Sequence, residues 1–274
     1  MTNASALTLS LPASDGRLER YALRGTAPLS AGAPTRPFTR IAYSAAHVVA
    51  DPLAVVDPWL GAAVDWDATI AYRQYLWSLG LGVAEAMDTA QRGMGLDWPT
   101  SLELIRRSLD AARDVPGALL AAGCGTDHLE AGAATSVDDV VRAYDTQMAA
   151  IEAAGGRLIV MASRALARVA TGPADYERVY DRILRQSAQP VILHWLGDMF
   201  DPALAGYWGS PDADAAMETA LGVIAEQDLR DLPQTCPVVD LGVGDDEVDL
   251  RAAPHEVVQR DDHLVFRRGV QLGA

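Results

Sequence analysis

Beyond Arg40 the chain alternates between two rhythms: short, mostly apolar runs, and longer stretches in which apolar residues recur every three or four positions. The first is the rhythm of a strand buried on both faces and the second that of a helix with one buried face. Their alternation specifies a parallel sheet covered by helices. The strand runs fall at 41–44, 82–86, 118–122, 158–162 and 191–194. After Pro99, Thr100 and Glu103 stand at capping-box spacing, and Leu102, Ile105 and Leu109 share one face of the helix they open. Ser136 and Asp139 start the next helix, with a stripe of Val137, Val140, Val141, Tyr144, Met148 and Ile151 and a stop at Gly155 and Gly156. Pro173 opens a helix with Tyr176, Val179, Tyr180, Ile183 and Leu184 inward, and Ser210 with Pro211 opens one with Met217, Leu221 and Ile224 inward.

Five such units occupy residues 40–227, about 38 residues each. At that spacing an eight-unit barrel needs roughly 110 more residues, and only 47 remain. The texture changes at the same point: alanine supplies 45 of residues 1–228 but 3 of residues 229–274, and the helical period vanishes. The tail offers strand-like runs at 237–243, 247–250 and 263–266, divided by acidic turns, with no evident place in a barrel. Residues 1–39, rich in Ala, Ser, Thr, Pro and Gly, read as an arm holding at most one short strand pair. The expected fold is thus α/β: an incomplete (β/α)8 TIM-type barrel over 40–228, preceded by the arm and followed by a divergent tail over 229–274. Its two end strands would be open edges, so the chain is expected to form a homo-oligomer.

Composition narrows the chemistry. The chain is 50% hydrophobic and 22% charged, enough apolar matter for a folded core. Thirty-seven acids against 22 bases leave a net charge of −15, which repels a phosphate backbone and excludes nucleic acid as a natural partner. All 22 bases are arginine, so no reaction of a lysine amine is open to these residues. Cys124 and Cys236 are far apart and lack CxxC spacing, which argues against a zinc knuckle or disulfide framework and suits a reducing cytoplasm. The first residues carry no export pattern, and no window of about 18 apolar residues follows, so neither membrane nor export is expected.

In parallel α/β folds the ligand site lies beyond the carboxyl ends of the strands. There this sequence keeps His47 after the first run, Glu85 and Asp88 after the second, Asp127 and His128 after the third, Ser163 and Arg164 after the fourth, and His194 and Asp198 after the fifth. The candidate site is His47, Glu85, Asp88, His128, His194 and Asp198. Imidazole and carboxylate groups gathered at a barrel mouth suit a divalent metal or general acid/base work on a small polar substrate; each member can equally be a hydrogen-bonded structural residue. Arg164 can clamp an anion or pair with a neighbouring acid, and Cys124 can be a nucleophile or a buried structural thiol. Trp195, Tyr207 and Trp208 can line a pocket or simply pack. The glycines at 80–82 and 123–125 lack G-x-G-x-x-G spacing, and neither a P-loop nor a G-x-S-x-G elbow occurs, so no nucleotide cofactor is expected.

The phrases RIAYSAAHVVADPL, GLGVAEAMDTAQRGMGLDWPT, GRLIVMASRALAR and PVILHWLGDMFDPALAGYWGS resemble an uncharacterised bacterial family grouped with the dihydrodipicolinate synthase-like, class I aldolase-type TIM barrels. The resemblance covers residues 36–227 and implies a (β/α)8 barrel with carbon–carbon lyase or aldolase chemistry on a keto acid. The wider superfamily forms a Schiff base with a lysine at the end of strand six; this chain has no lysine and no recognisable sixth strand. It also lacks the Gly-Thr-Thr-Gly-Glu loop after strand two, and strand five ends in His194 and Trp195 where the superfamily has tyrosine. Two expectations follow: an aldolase-like enzyme that does not use a lysine Schiff base, or a truncated or frame-shifted relative, altered after about residue 228, that has no activity.

Overall fold

The computed structural model describes residues 8–22, 40–51, 53–57, 61–90, 92, 95–129, 132–134, 136–228, 240–241, 255–260 and 263–268. The chain forms two units, Met1–Thr35 and Arg36–Ala274. In the first, β1 (Thr8–Pro12) and β2 (Leu18–Ala22) pair antiparallel. Gly16, at φ 80°, supplies the left-handed turn residue, and Asp15 accepts from Arg17 N at 3.1 Å and from its Nε at 2.7 Å.

The second unit runs β3 (Tyr43–Ala45), α1 (Trp66–Ser78), β4 (Gly82–Glu85), α2 (Trp98–Arg113), β5 (Leu120–Cys124), α3 (Val137–Ala153), β6 (Arg157–Val160), α4 (Arg164–Val169), α5 (Pro173–Leu184), β7 (Ile192–Trp195), α6 (Ala213–Asp228) and β8 (Asp240–Leu241). A separate antiparallel hairpin, β9 (His255–Arg260) with β10 (His263–Arg268), follows. Strands β3 to β8 form one parallel sheet in strict sequence order. A doubly wound sheet reverses its order midway and takes helices on both faces; among the described residues this one does neither. Val83, Leu120, Leu158, Val160 and Leu193 pack against the helices. Ala84, Ala121, Ile159 and Met161 pack on the opposite face with Met87, Tyr43 and Ile192, and among the described residues no helix contributes there. A parallel sheet wound in one direction with helices on one face is the wall of a (β/α)8-type barrel, here incomplete. Among the described residues β3 has β4 as its sole strand neighbour.

All five expected strands form, each displaced by no more than a few residues. Helices α3 and α5 also follow the sequence pattern. The Ser136–Asp139 capping box closes in both directions, with Ser136 N donating to Asp139 Oδ2 at 2.9 Å and Asp139 N to Ser136 Oγ at 3.3 Å. Ser136→Ala is expected to lose about 1 kcal/mol in urea denaturation, the usual value of an N-cap side chain.

Other expectations are corrected. Helix α2 is capped by Asp97, which accepts from Thr100 N at 2.9 Å, so Thr100 is not the cap. Pro99 falls inside the first turn, where its missing N–H leaves nothing unpaired. The buried face of α2 is Ser101, Leu104, Ile105 and Ser108, while Leu102 and Leu109 flank it half-buried. In α6 the buried face is Ala216, Ala220 and Val223, one position ahead of the expected Met217, Leu221 and Ile224, which are half-buried. Helix α1 went unread because Thr69, Arg73, Leu76 and Trp77 are its buried residues, and two of the four are polar. Within the tail, Asp240–Leu241 (β8) lies parallel beside β7, with His194 opposite Asp240 and Trp195 opposite Leu241. The run at 263–266 forms part of β10, and that at 247–250 lies outside the described residues. No helix among the described residues is long and apolar enough to cross a membrane.

Candidate functional site

Side chains alternate across a strand, so the residue ending each strand faces either the helices or the open, concave side. On β4, Ala84 faces the concave side, and Glu85 therefore points between α1 and α2. It is fully enclosed, and its four acceptor positions are filled. Oε1 accepts from Arg73 Nη2 at 2.8 Å and from Ala86 N at 2.9 Å. Oε2 accepts from Arg73 Nε at 2.9 Å and from Ser108 Oγ at 2.6 Å. Arg73, equally buried, also donates to the His47 carbonyl at 2.5 Å and to that of Thr69 at 3.3 Å. This pair ties α1, α2, β4 and the segment after β3 together, and no lone pair of Glu85 is left for a substrate.

A second buried arginine organises the carboxyl ends of β4 and β5. Arg92 grips Asp127 with both edges of its fork, Nε to Oδ2 at 3.0 Å and Nη2 to Oδ1 at 2.8 Å. It also donates to the Gly123 carbonyl at 2.5 Å, to the Ala86 carbonyl at 3.3 Å and to Gln147 Oε1 on α3. Gln147 Oε1 accepts in addition from Gly125 N at 2.7 Å, and Gln147 Nε2 lies 3.0 Å from Asp127 Oδ1 and 2.9 Å from His128 Nδ1. The Trp98 ring covers the cluster, its centroid 5.1 Å from the Arg92 guanidinium and 6.4 Å from the His128 ring.

The backbone is shaped to allow this. Ala86 sits at φ 52°, a left-handed conformation costing a non-glycine residue on the order of 1 kcal/mol. In exchange its N–H meets Glu85 and its carbonyl meets Arg92, linking the two networks. That carbonyl passes over Gly123, where a Cβ would lie 2.7 Å from it. Only glycine fits there.

The charges are set accordingly. Burial alone would raise the Asp127 carboxyl, but the hydrogen bonds and charge of Arg92, with the Gln147 amide, outweigh it and hold the group below the usual carboxylate range. For His128, burial and then the Arg92 charge lower the imidazole pKa against the opposing pull of Asp127, so the ring is neutral at neutral pH. Burial pushes the Cys124 thiol well up, and its Sγ lies 3.9 Å from the Tyr144 carbonyl; it is a structural thiol.

Of the six sequence candidates, His128 and Glu85 thus belong to two different networks. The side chains of His47, Asp88, His194 and Asp198 enter neither. His47 and Asp198 are exposed at the ends of β3 and β7; Asp88 is half-buried at the start of a 3-10 turn, and His194 is half-buried on β7. Among the described residues no three His, Cys, Asp or Glu side chains gather closely enough to ligate one metal ion. Arg164 pairs with Asp201 at 2.5 Å on the surface. Trp208 stacks on Tyr180 at 4.3 Å and on Trp195 at 6.2 Å, and Tyr207 Oη accepts from Ser163 N at 2.9 Å. The void between β7 and α6 that Trp195 and Trp208 line measures about 10 Å³, room for one water-sized sphere. These aromatics pack. Arg73, Arg92 and Gln147 escaped the sequence reading, although Gln147 announced itself as a polar residue at an inward position of the α3 stripe.

Fold and strand-end cluster together define an incomplete (β/α)8-type α/β protein with an arginine-held polar site. The chain belongs to the family described as protein of unknown function (DUF993), whose profile matches residues 9–253. No curated protein matches it. Among solved structures it is similar to dihydrodipicolinate synthase from Oceanobacillus iheyensis (15% identity, TM-score 0.41, 63% of this chain and 50% of that one). It is also similar to dihydrodipicolinate synthase from Bacillus clausii (14% identity, TM-score 0.41, 62% and 49%) and to a third structure of that enzyme (11% identity, TM-score 0.43, 67% and 52%). The chain spans about half the length of these structures.

Proposed function

We propose that this chain is a lyase of the aldolase type acting on a small keto acid or related carbonyl compound, by acid/base chemistry and without a lysine Schiff base. The observation that carries the reading is His128: an imidazole whose pKa burial lowers, half-buried at the carboxyl end of a barrel strand and held through Gln147, which Arg92 and Asp127 in turn engage. A carboxylate at the same strand ends takes the proton from the carbon beside the carbonyl, and the electron pair moves onto the carbonyl oxygen. Asp127 is engaged by Arg92, which leaves Asp88 as the half-buried carboxylate for that role. His47, His194 and Asp198 are retained as groups that orient the substrate. In this reading residues 1–39 are an arm, 40–228 the working half-barrel and 229–274 an appended tail.

Incubating the protein with pyruvate and other small 2-keto acids in D2O should give deuterium exchange at the carbon next to the carbonyl, followed by proton NMR. His128→Ala should slow it by at least about a hundredfold. Borohydride added during the reaction should leave no adduct on an internal residue, because there is no lysine to trap. Exchange on none of the acids, exchange undiminished in His128→Ala, or an internal adduct would defeat the reading. A second reading, an inactive relative that self-associates, is favoured by β3, which among the described residues has β4 as its sole strand neighbour. Complete absence of exchange is its expected result.

A further inference from the structure

A glutamine amide can turn either its oxygen or its nitrogen toward a neighbour, and at Gln147 the choice is forced. One end of the amide faces two groups that can only donate, the Gly125 N–H at 2.7 Å and Arg92 Nη2. That end must be the oxygen. The other end faces Asp127 Oδ1 at 3.0 Å, which as a carboxylate held below the usual range can only accept. That end must be the NH2. Its second proton points at His128 Nδ1, 2.9 Å away. An imidazole nitrogen that receives a hydrogen bond carries no proton, so in the neutral ring the proton sits on Nε2.

We propose that Gln147 is a positioning residue that locks His128 in the Nε2–H tautomer, so that His128 meets its ligand as a hydrogen-bond donor aimed at an electron-rich oxygen. Among the described residues, Nε2 has no protein hydrogen-bond partner, and the ring is half-buried beside Trp98. The oxygen it suits is a carbonyl that gains charge as it becomes an enolate; a neutral donor stabilises that charge without having to give up a full proton. This role rests on the function proposed above, whereas the tautomer does not. It assigns His128 to the carbonyl oxygen and leaves removal of the carbon-bound proton to a carboxylate. The groups that face the imidazole are Gln147, Asp127, Arg92 and Trp98, and Arg92 and Asp127 pull its titration in opposite directions.

Long-range proton–nitrogen NMR of the 15N-labelled protein tests this with no substrate present, the His128 signals being identified by their loss in His128→Asn. At neutral pH the wild type should show Nδ1 unprotonated and Nε2 protonated. Gln147→Met removes the donor and puts no second carboxylate beside Asp127. It should release the lock, so that an Nδ1–H signal appears beside Nε2–H, and slow any keto-acid exchange severalfold. An Nδ1–H tautomer in the wild type overturns the proposal, as does a folded Gln147→Met protein with its tautomer populations unchanged. If that variant fails to fold, the wild-type spectrum alone decides. Nε2–H in a wild type that exchanges no keto acid would uphold the lock at Gln147 and remove the enzymatic reading instead.

Discussion

Glu85→Ala should cost about 3–5 kcal/mol of unfolding free energy, among the largest losses any single substitution in this chain can produce. Both side chains of the Arg73–Glu85 pair are wholly enclosed. Removing the carboxylate strands a guanidinium without its counter-charge and leaves Ser108 Oγ and the Ala86 N–H without their acceptor. The loss of that last contact matters twice, because it helps hold Ala86 in its left-handed conformation. Urea denaturation of Glu85→Ala, Arg73→Met and the double variant separates the terms. Arg73→Met with Glu85→Leu should be markedly less damaging than either charge left alone, since two well-packed apolar side chains need no partners. A Glu85→Ala protein within about 1 kcal/mol of wild type would mean that solvent reaches the pair.

Arg92→Ala should be comparably severe, again about 3–5 kcal/mol, and should abolish any activity at the strand ends. Its side chain is 1% exposed, and it satisfies Asp127, Gln147 and two backbone carbonyls at once. Arg92→Lys is not a conservative rescue, because one ammonium cannot reproduce the forked, bidentate grip on Asp127 while reaching the others. Arg164→Ala is the matched comparison. Its ion pair with Asp201 is 57% exposed on the arginine side, and its removal should cost no more than about 1 kcal/mol. Equal losses at Arg92 and Arg164 would show that the strand-end network contributes nothing beyond a surface ion pair.

Much of the fold was legible because burial repeats locally. The capping box at Ser136, the inward face of α5 and the five strand runs each lie within a few residues of sequence, and each is dictated by backbone hydrogen bonding or by the period of apolar side chains. The reading failed where a buried position is polar. Thr69 and Arg73 on α1, and Ser101 and Ser108 on α2, occupy inward positions that a hydrophobic pattern marks as surface. Thr69, Arg73 and Ser108 are tolerated inside because partners from other segments satisfy them: the Val49 backbone for Thr69, and Glu85 for Arg73 and Ser108 across 12 and 23 residues.

The candidate site divides along the same line. The sequence by itself determined that titratable groups stand at the carboxyl ends of successive parallel strands, and that none of them is a lysine. Which way each points was a tertiary matter. The pleat turns Glu85 toward the helices, and Arg92, on a segment between β4 and α2, reaches 35 residues along the chain to Asp127 and 55 to Gln147. A side chain's neighbours across such distances depend on how strands register and helices dock, which no local period encodes. The sequence therefore specified the half-barrel wall and the supply of polar groups, and the packing of α1, α2 and α3 on that wall decided that Glu85 became an anchor and His128 the group left facing outward.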